Sequence, residues 1–98
     1  MVPGDRDGTS CAPALSSLVG DHFRARGYSV AFNDPYKGGY ITTHHGQPRD
    51  NIHAIQIELR RDLYMDEQTF TLEDTGFQRL REALRDLLTA IEAFRPAP

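Results

Sequence analysis

The sequence has little of what marks several large classes of protein. Its 98 residues include one cysteine, Cys11, which excludes an intramolecular disulfide and fits a reducing compartment. No apolar run approaches the ~20 residues that span a bilayer, and the polar start MVPGDRDGTS lacks the apolar stretch of a signal peptide. The net charge is −3, and no basic run exceeds the pair Arg60-Arg61. We therefore expect a cytoplasmic protein that binds neither membrane nor nucleic acid.

The composition is that of an ordinary globular domain. Hydrophobic residues make up 39% of the chain and charged residues 26%, which argues against disorder except at the ends. A chain of this length forms one small domain at most. We expect a single domain over residues 1–98, with loose ends at 1–9 and 95–98.

Two segments have helical periodicity. The first is predicted to begin near Ser10, with Pro13 in its first turn, and to stop at Gly27. The second begins at Thr75, where Gln78 completes a capping-box pattern, and ends at Pro96. Its apolar stripe consists of Phe77, Leu80, Leu84, Leu87, Leu88, Ile91 and Phe94.

Three segments read as strands: residues 28–32, 40–43 and 52–59. In the third, alternation places Ala54, Gln56 and Glu58 on one face and Ile55, Ile57 and Leu59 on the other. Residues 62–74 are predicted to be irregular. The fold class is therefore α/β, with a small mixed sheet of about three strands flanked by two helices.

Glu58 is the strongest candidate for a catalytic carboxylate, because it lies near the end of a predicted strand. Such a group can act as a general base toward a metal-bound water, or it can be an ordinary solvated or salt-bridged strand residue. The adjacent His44 and His45 point to opposite sides of an extended segment, and no zinc-binding motif contains them. No metal ligands are assigned, and His22 and His53 are interpreted as structural.

Arg6 lies in the loop GDRDG, just before the first predicted helix. It could hold a substrate carboxylate by a two-point contact, or form part of a surface turn with an internal Asp–Arg pair. Arg49 is open to the same two interpretations. Cys11 is interpreted as a small buried residue, since no neighbouring base would activate it.

Three segments in order resemble the C-terminal part of the N-formylglutamate amidohydrolase (deformylase) family. They are GDRDGTSC, YSVAFNDPYKGGYITTHHGQP and HAIQIELRRDLYMDE. The family pattern resembles Gly-Gly-Tyr/Trp-Ile-Thr-x-His-x-Gly, followed by a His-Ala-(Ile/Val)-Gln-(Ile/Leu)-Glu-Leu strand and Tyr-Met-Asp-Glu.

This resemblance implies hydrolysis of N-formyl-L-glutamate to formate and glutamate, in histidine degradation, on part of a three-layer fold similar to zinc carboxypeptidases. Glu58 would be the general acid/base, and the substrate would lie near Arg6, Gly39, Tyr40 and His44. Zinc or another divalent metal is implied, with ligands expected in the longer N-terminal part of family members and not in this chain. The substrate would be a small N-acyl amino acid.

The alternative is a non-catalytic α/β module. The short predicted sheet and the missing metal ligands favour a truncated module that binds a partner or self-associates through an exposed sheet edge. A homo-oligomer is a possible outcome of either interpretation.

Overall fold

The computed structural model describes residues 1–95, which confirm the predicted α/β class. The predicted mixed sheet of about three strands between two helices is wrong, since the strands form two antiparallel pairs and there are three α-helices among these residues. The chain divides into two compact units, Met1–Glu58 with the segment from Phe94, and Leu59–Ala93. In the described part of the chain no helix is long and apolar enough to cross a membrane. The helices are α1 (Pro13–Ala25), α2 (Tyr40–His45) and α3 (Asp74–Ala93), and the strands are β1 (Val2–Gly4), β2 (Gln56–Glu58), β3 (Met65–Asp66) and β4 (Thr71–Leu72).

The first unit is built on an antiparallel pair of strands that joins the two ends of its sequence. In β1 and β2, Val2 lies opposite Glu58 and Gly4 lies opposite Gln56. Met1 is buried, and its amino group donates to the carbonyl of Ser29. The expected loose end at residues 1–9 is therefore wrong. A pairing between segments this far apart leaves no local pattern in either one. Of the other expected end, only Arg95 lies within the described residues.

Helix α1 begins at Pro13, later than predicted, because Ser10 has a different role. The Ser10 hydroxyl donates to the carbonyl of Ala54 at 2.7 Å and so ties the loop to the segment before β2. Gly27 ends the helix with φ +85, as predicted. The buried face of the helix consists of Leu15, Ser16, Val19, Gly20 and Phe23.

The segment 28–32 is not a regular strand, contrary to the prediction. It runs beside β1 and is held by separate hydrogen bonds, from the Ala31 amide to Met1 and from the Asn33 amide to Pro3. Pro3 has no N–H to donate, so a continuous ladder with β1 cannot form here. The aromatic and β-branched composition favoured a strand but could not supply the pairing that a strand needs.

Residues 40–43, also predicted as a strand, form most of helix α2. The hydroxyls of Thr42 and Thr43 both donate to the carbonyl of Gly39, at 2.8 and 3.0 Å. Gly38 has φ +103, and a Cβ there would collide with the Thr42 side chain. The two glycines thus turn the chain into a helix despite its β-forming residues.

The second unit contains α3 and the β3–β4 hairpin. The helix begins at Asp74, and its first turn is capped by the Glu73 carboxylate, which accepts the Gly76 amide at 2.6 Å. The predicted capping box of Thr75 and Gln78 lies close to the true start of the helix, but the capping group is Glu73. The hairpin, with Met65 opposite Leu72, corrects the expectation of irregular structure over residues 62–74.

Within residues 1–95 each sheet has only two strands, and the outer edge of β1 is partly covered by the Ala31 and Asn33 amides. Unpaired sheet edges are places where another chain can add a strand. Self-association through a sheet edge stays a prediction.

A buried carboxylate fixes the loop that follows β1. Asp5 accepts hydrogen bonds from the Ser16 hydroxyl at 2.6 Å, from the Asn33 side-chain amide at 2.7 Å and from the Gly8 amide at 2.8 Å. Asn33 in turn accepts the Asp5 amide at 2.9 Å. Burial acts to raise the pKa of the Asp5 carboxyl, but these hydrogen bonds together hold it below its ordinary value. The folded protein therefore keeps Asp5 ionised.

We predict that Asp5→Asn lowers the free energy of unfolding by about 1.5–3 kcal/mol at about pH 6, since it removes charge-assisted hydrogen bonds. It should also flatten the dependence of stability on pH. The pKa of Asp5 is lower in the folded than in the unfolded chain, so its contribution is complete above the ordinary value of 3.8 and is lost as pH falls through the folded value. Urea titrations at about pH 6 and about pH 3 measure both effects.

Asp21→Asn is the matched control, because the Asp21 side chain is 78% exposed and its ion pair with Arg24 lies at the surface. We expect it to change stability by less than about 0.5 kcal/mol. Equal losses in the two variants, or a pH dependence unchanged by Asp5→Asn, would contradict the role given to Asp5.

Candidate functional site

A cleft of about 410 Å³ lies in the first unit, between the loop after β1, the turn before α2 and strand β2. Seven residues line it: Arg6, Pro35, Tyr36, Lys37, Gly38, Gly39 and Gln56. Two of the residues predicted at the substrate, Arg6 and Gly39, therefore meet in one cleft, although more than thirty positions separate them.

Close backbone contact forms one wall of this cleft. The Arg6 amide donates to the carbonyl of Lys37 at 2.9 Å, and its guanidinium donates to the carbonyl of Gly38 at 3.1 Å. A Cβ at position 4 would lie 2.7 Å from the carbonyl carbon of Lys37, so only glycine allows this approach. The motifs GDR and YKGG thus form a single structural unit.

The charges of the cleft are unevenly satisfied. Lys37 is paired with Asp7, at 2.8 Å between Nζ and Oδ2, and both side chains are more than half exposed. Arg6 has no carboxylate partner among residues 1–95; it donates to backbone carbonyls only, which leaves guanidinium N–H groups free. The cleft therefore offers a guanidinium that can bind an anion.

Glu58 is connected to this cleft through Gln56. The two side chains lie on the same face of β2, as the alternation predicted, and the Gln56 amide donates to the Glu58 carboxylate at 3.1 Å. Gln56 lines the cleft, whereas Glu58 is exposed and does not. Gln56 is thus a site residue that the sequence interpretation did not single out, although its position two residues before Glu58 is a signal for it.

Tyr40 and His44 form a separate aromatic pair on α2. Their rings are stacked, with centroids 5.0 Å apart and planes 13° from parallel, and both residues are exposed. His45 meets the His44 ring edge-on at 4.8 Å. Tyr40 and His44 are one helical turn apart, so α2 brings them to the same face. The extended segment expected for His44 and His45 is therefore wrong. None of the three lines the cleft, although Tyr40 directly follows Gly39.

The residues interpreted as structural have structural contacts. His53 accepts the Ala12 amide on Nδ1 at 2.9 Å and contacts Asn51 through Nε2, and half-buried His22 meets Phe23 edge-on. Cys11 is buried, and burial raises the pKa of its thiol, with the nearby Asp5 carboxylate adding to the effect and the Ser16 hydroxyl opposing it. Such a thiol is a poor nucleophile.

The described residues do not form a metal site. Within residues 1–95, no group of three histidine, cysteine, aspartate or glutamate side chains could hold a metal ion. The edge-on contact of His44 and His45 brings no third ligand with it, and Glu58 is engaged with Gln56. The divalent metal that the resemblance implies therefore does not fit this part of the chain.

Comparison with known proteins agrees with the resemblance seen in the motifs. The family model described as N-formylglutamate amidohydrolase matches residues 1–65. Two proteins named N-formylglutamate deformylase, from Pseudomonas aeruginosa and Pseudomonas putida, are each 41% identical over 93 residues, which is 93% of this chain. A crystal structure of N-formylglutamate amidohydrolase from Ralstonia eutropha JMP134 matches 92% of this chain with a TM-score of 0.85 and 46% identity.

The match covers only about a third of the length of each relative. The chain spans 35% of the length of each Pseudomonas protein and 32% of the Ralstonia eutropha chain. The motifs GDR, YKGG and HAIQIEL fall within the residues that the family model matches. On these grounds the chain belongs to the N-formylglutamate amidohydrolase family.

Proposed function

We propose that this chain supplies the acid/base and substrate-binding part of an amidohydrolase that converts N-formyl-L-glutamate and water to formate and glutamate. The observation that carries the proposal is the cleft in which an unpaired Arg6 guanidinium lies with Gln56, the hydrogen-bond partner of Glu58. Arg6 is suited to bind a carboxylate of the substrate, and Glu58 is suited to act as the base in amide hydrolysis.

In this proposal Glu58 is the general base. Its carboxylate takes a proton from the attacking water while the water oxygen bonds to the formyl carbon, and it returns that proton to the nitrogen as the C–N bond breaks. The products are formate and the free amino group of glutamate. Gln56 supports this role, since its hydrogen bond holds one carboxylate oxygen and leaves the other open.

Substrate recognition is proposed to rest on Arg6 and Gly39, which line the cleft, and on Tyr40 and His44 of the following helix α2. Arg6 would hold one carboxylate of the substrate, and Gly39 would let the backbone approach it closely. The stacked, exposed rings of Tyr40 and His44 offer a phenol and an imidazole that can donate hydrogen bonds to a bound acyl amino acid.

Four finer proposals follow from the family resemblance. The reaction serves histidine degradation in the cytoplasm, the complete family fold has three layers and is similar to zinc carboxypeptidases, and a divalent metal is required. The ligands of that metal would lie outside residues 1–95, so no step of the chemistry above is assigned to it.

The test of Glu58 needs the complete family fold, which a chimera provides. Residues 1–98 would replace the matching segment of the Ralstonia eutropha relative, and formate release from N-[¹³C]formyl-L-glutamate would be followed by NMR. We predict that Glu58→Gln lowers kcat by about 10²–10⁴-fold and changes KM little, because proton transfer is lost and binding is not.

Glu82→Gln is the control for this variant, since it removes one exposed carboxylate from α3 that does not line the cleft. Its kcat should stay near that of the parent chimera, and circular dichroism should show both variants folded. A Glu58→Gln chimera that keeps most of the parent kcat would disprove the assignment of the general base.

In the same chimera, Arg6→Lys should raise KM for N-formyl-L-glutamate by about 10–100-fold and affect kcat less. The reason is the loss of a charged two-point contact worth about 1.5–3 kcal/mol. Arg49→Lys is the control, because Arg49 is exposed in the turn Pro48–Asp50 and does not line the cleft. If the Arg49 variant raised KM and the Arg6 variant did not, the carboxylate would be bound elsewhere.

A further inference from the structure

The second unit carries an apolar groove of about 570 Å³ along helix α3. Its lining is made by Leu59, Tyr64, Phe77, Leu80, Arg81, Leu84, Arg85 and Leu88. Apart from the two arginines, all of these side chains are apolar or aromatic. The groove is separate from the cleft that contains Arg6, and no residue lines both.

Helix α3 is apolar on more than the face it buries. Leu80, Ala83 and Leu87 are 2–4% exposed and form the buried face. Phe77, Leu84 and Leu88 follow one another at intervals of seven and four residues, so they make a second stripe. Leu88 is 69% exposed, which is far more than an ordinary core position allows. This second stripe is what lines the groove.

Two unpaired cations flank the stripe. Arg81 and Arg85 are four residues apart, one helical turn, and both line the groove. Within residues 1–95 neither guanidinium is in an ion pair, although acidic residues outnumber basic ones in the chain by 14 to 11. An occupant that fits this groove is therefore apolar in the middle and carries carboxylates at the spacing of one turn.

A second copy of the chain does not match that pattern. An antiparallel pair of α3 helices centred on the groove would bring the two Arg81–Arg85 pairs together. Four guanidinium groups would then meet at the middle of an apolar interface, where like charges repel strongly. Charge therefore favours a different sequence as the occupant.

The family match supplies a source for such a sequence. This chain keeps the structure of its Ralstonia eutropha relative with a TM-score of 0.85 while spanning 32% of it. In the larger protein, the other two thirds must pack against some surface of the matched third. An exposed apolar groove of this size is the type of surface that such packing covers.

We propose that the groove between Phe77 and Leu88 docks an acidic amphipathic segment belonging to the part of the family fold that this chain does not span. Apolar side chains of that segment fill the groove, and two of its carboxylates bind Arg81 and Arg85. The docking depends on the family architecture and is independent of the chemistry assigned to Glu58.

The experiment is co-expression of the affinity-tagged 98-residue chain with the Ralstonia eutropha relative from which the matching segment has been deleted. We expect the two polypeptides to co-purify as a one-to-one complex. Leu88→Asp should weaken the complex by at least about tenfold in Kd, because it puts a charge into the apolar groove. Arg81→Gln with Arg85→Gln should weaken it and reduce its dependence on salt.

Leu72→Asp is the matched control, since Leu72 is 59% exposed in the same unit and lies outside the groove. It should leave Kd unchanged, and circular dichroism of each variant alone should show that all are folded. The proposal is overturned if no complex forms, if Leu88→Asp binds like the parent, or if Leu72→Asp is equally weak. It is also overturned if the chain forms a homodimer that Leu88→Asp dissociates.

Discussion

The arrangement of the first unit depends on the buried, ionised carboxylate of Asp5. It joins the loop after β1 to helix α1 through Ser16 and to the turn before the cleft through Asn33. A charge removed from water is stable only when several donors satisfy it, so the three elements must stay in contact for Asp5 to remain ionised. Arg6 is the next residue, with φ +54, and its position against Lys37 and Gly38 follows from the same network.

The pairing of β1 with β2 positions the candidate base, Glu58, relative to the loop that Asp5 fixes. Gly4 lies opposite Gln56 and Val2 opposite Glu58, so the register of β1 and β2 determines which side chains of β2 lie near Arg6. A shift by one residue would turn Gln56 and Glu58 to the other face of the strand. Backbone contacts of Gly4 with Lys37 hold β1 in place from the other side. The register of β1 and β2 therefore determines both the lining of the cleft and the position of the candidate base.

How much the sequence predicts depends on whether the signal is local. Helices α1 and α3 were predicted because a periodic stripe and a stop signal such as Gly27 lie within the segment itself. Strand β1 was missed because its partner is more than fifty residues away, and α2 was predicted as a strand because β-branched residues outweighed two glycines. Asp5 gave no signal that it would be buried, since its donors, Ser16 and Asn33, come from distant segments.

The candidate site was predictable to the extent that motifs carried it. Arg6 and Glu58 were singled out by their positions before a predicted helix and near the end of a predicted strand, and the family resemblance gave them roles. Packing then added Gln56 as the group between the cleft and Glu58. His44 and Tyr40 came together for a reason the sequence did not indicate, the helical turn of α2.

Helix α3 shows why a part of a fold carries information about the rest. A helix that is packed on one side needs one apolar stripe, and α3 has two. Keeping Leu88 exposed and Phe77 and Leu84 half-buried beside unpaired arginines would have no benefit for an isolated module, because it exposes apolar surface without any compensating contact. The second stripe is accounted for when the matched third packs against the larger family architecture. The composition of the groove then constrains the chemistry of the segment that covers it.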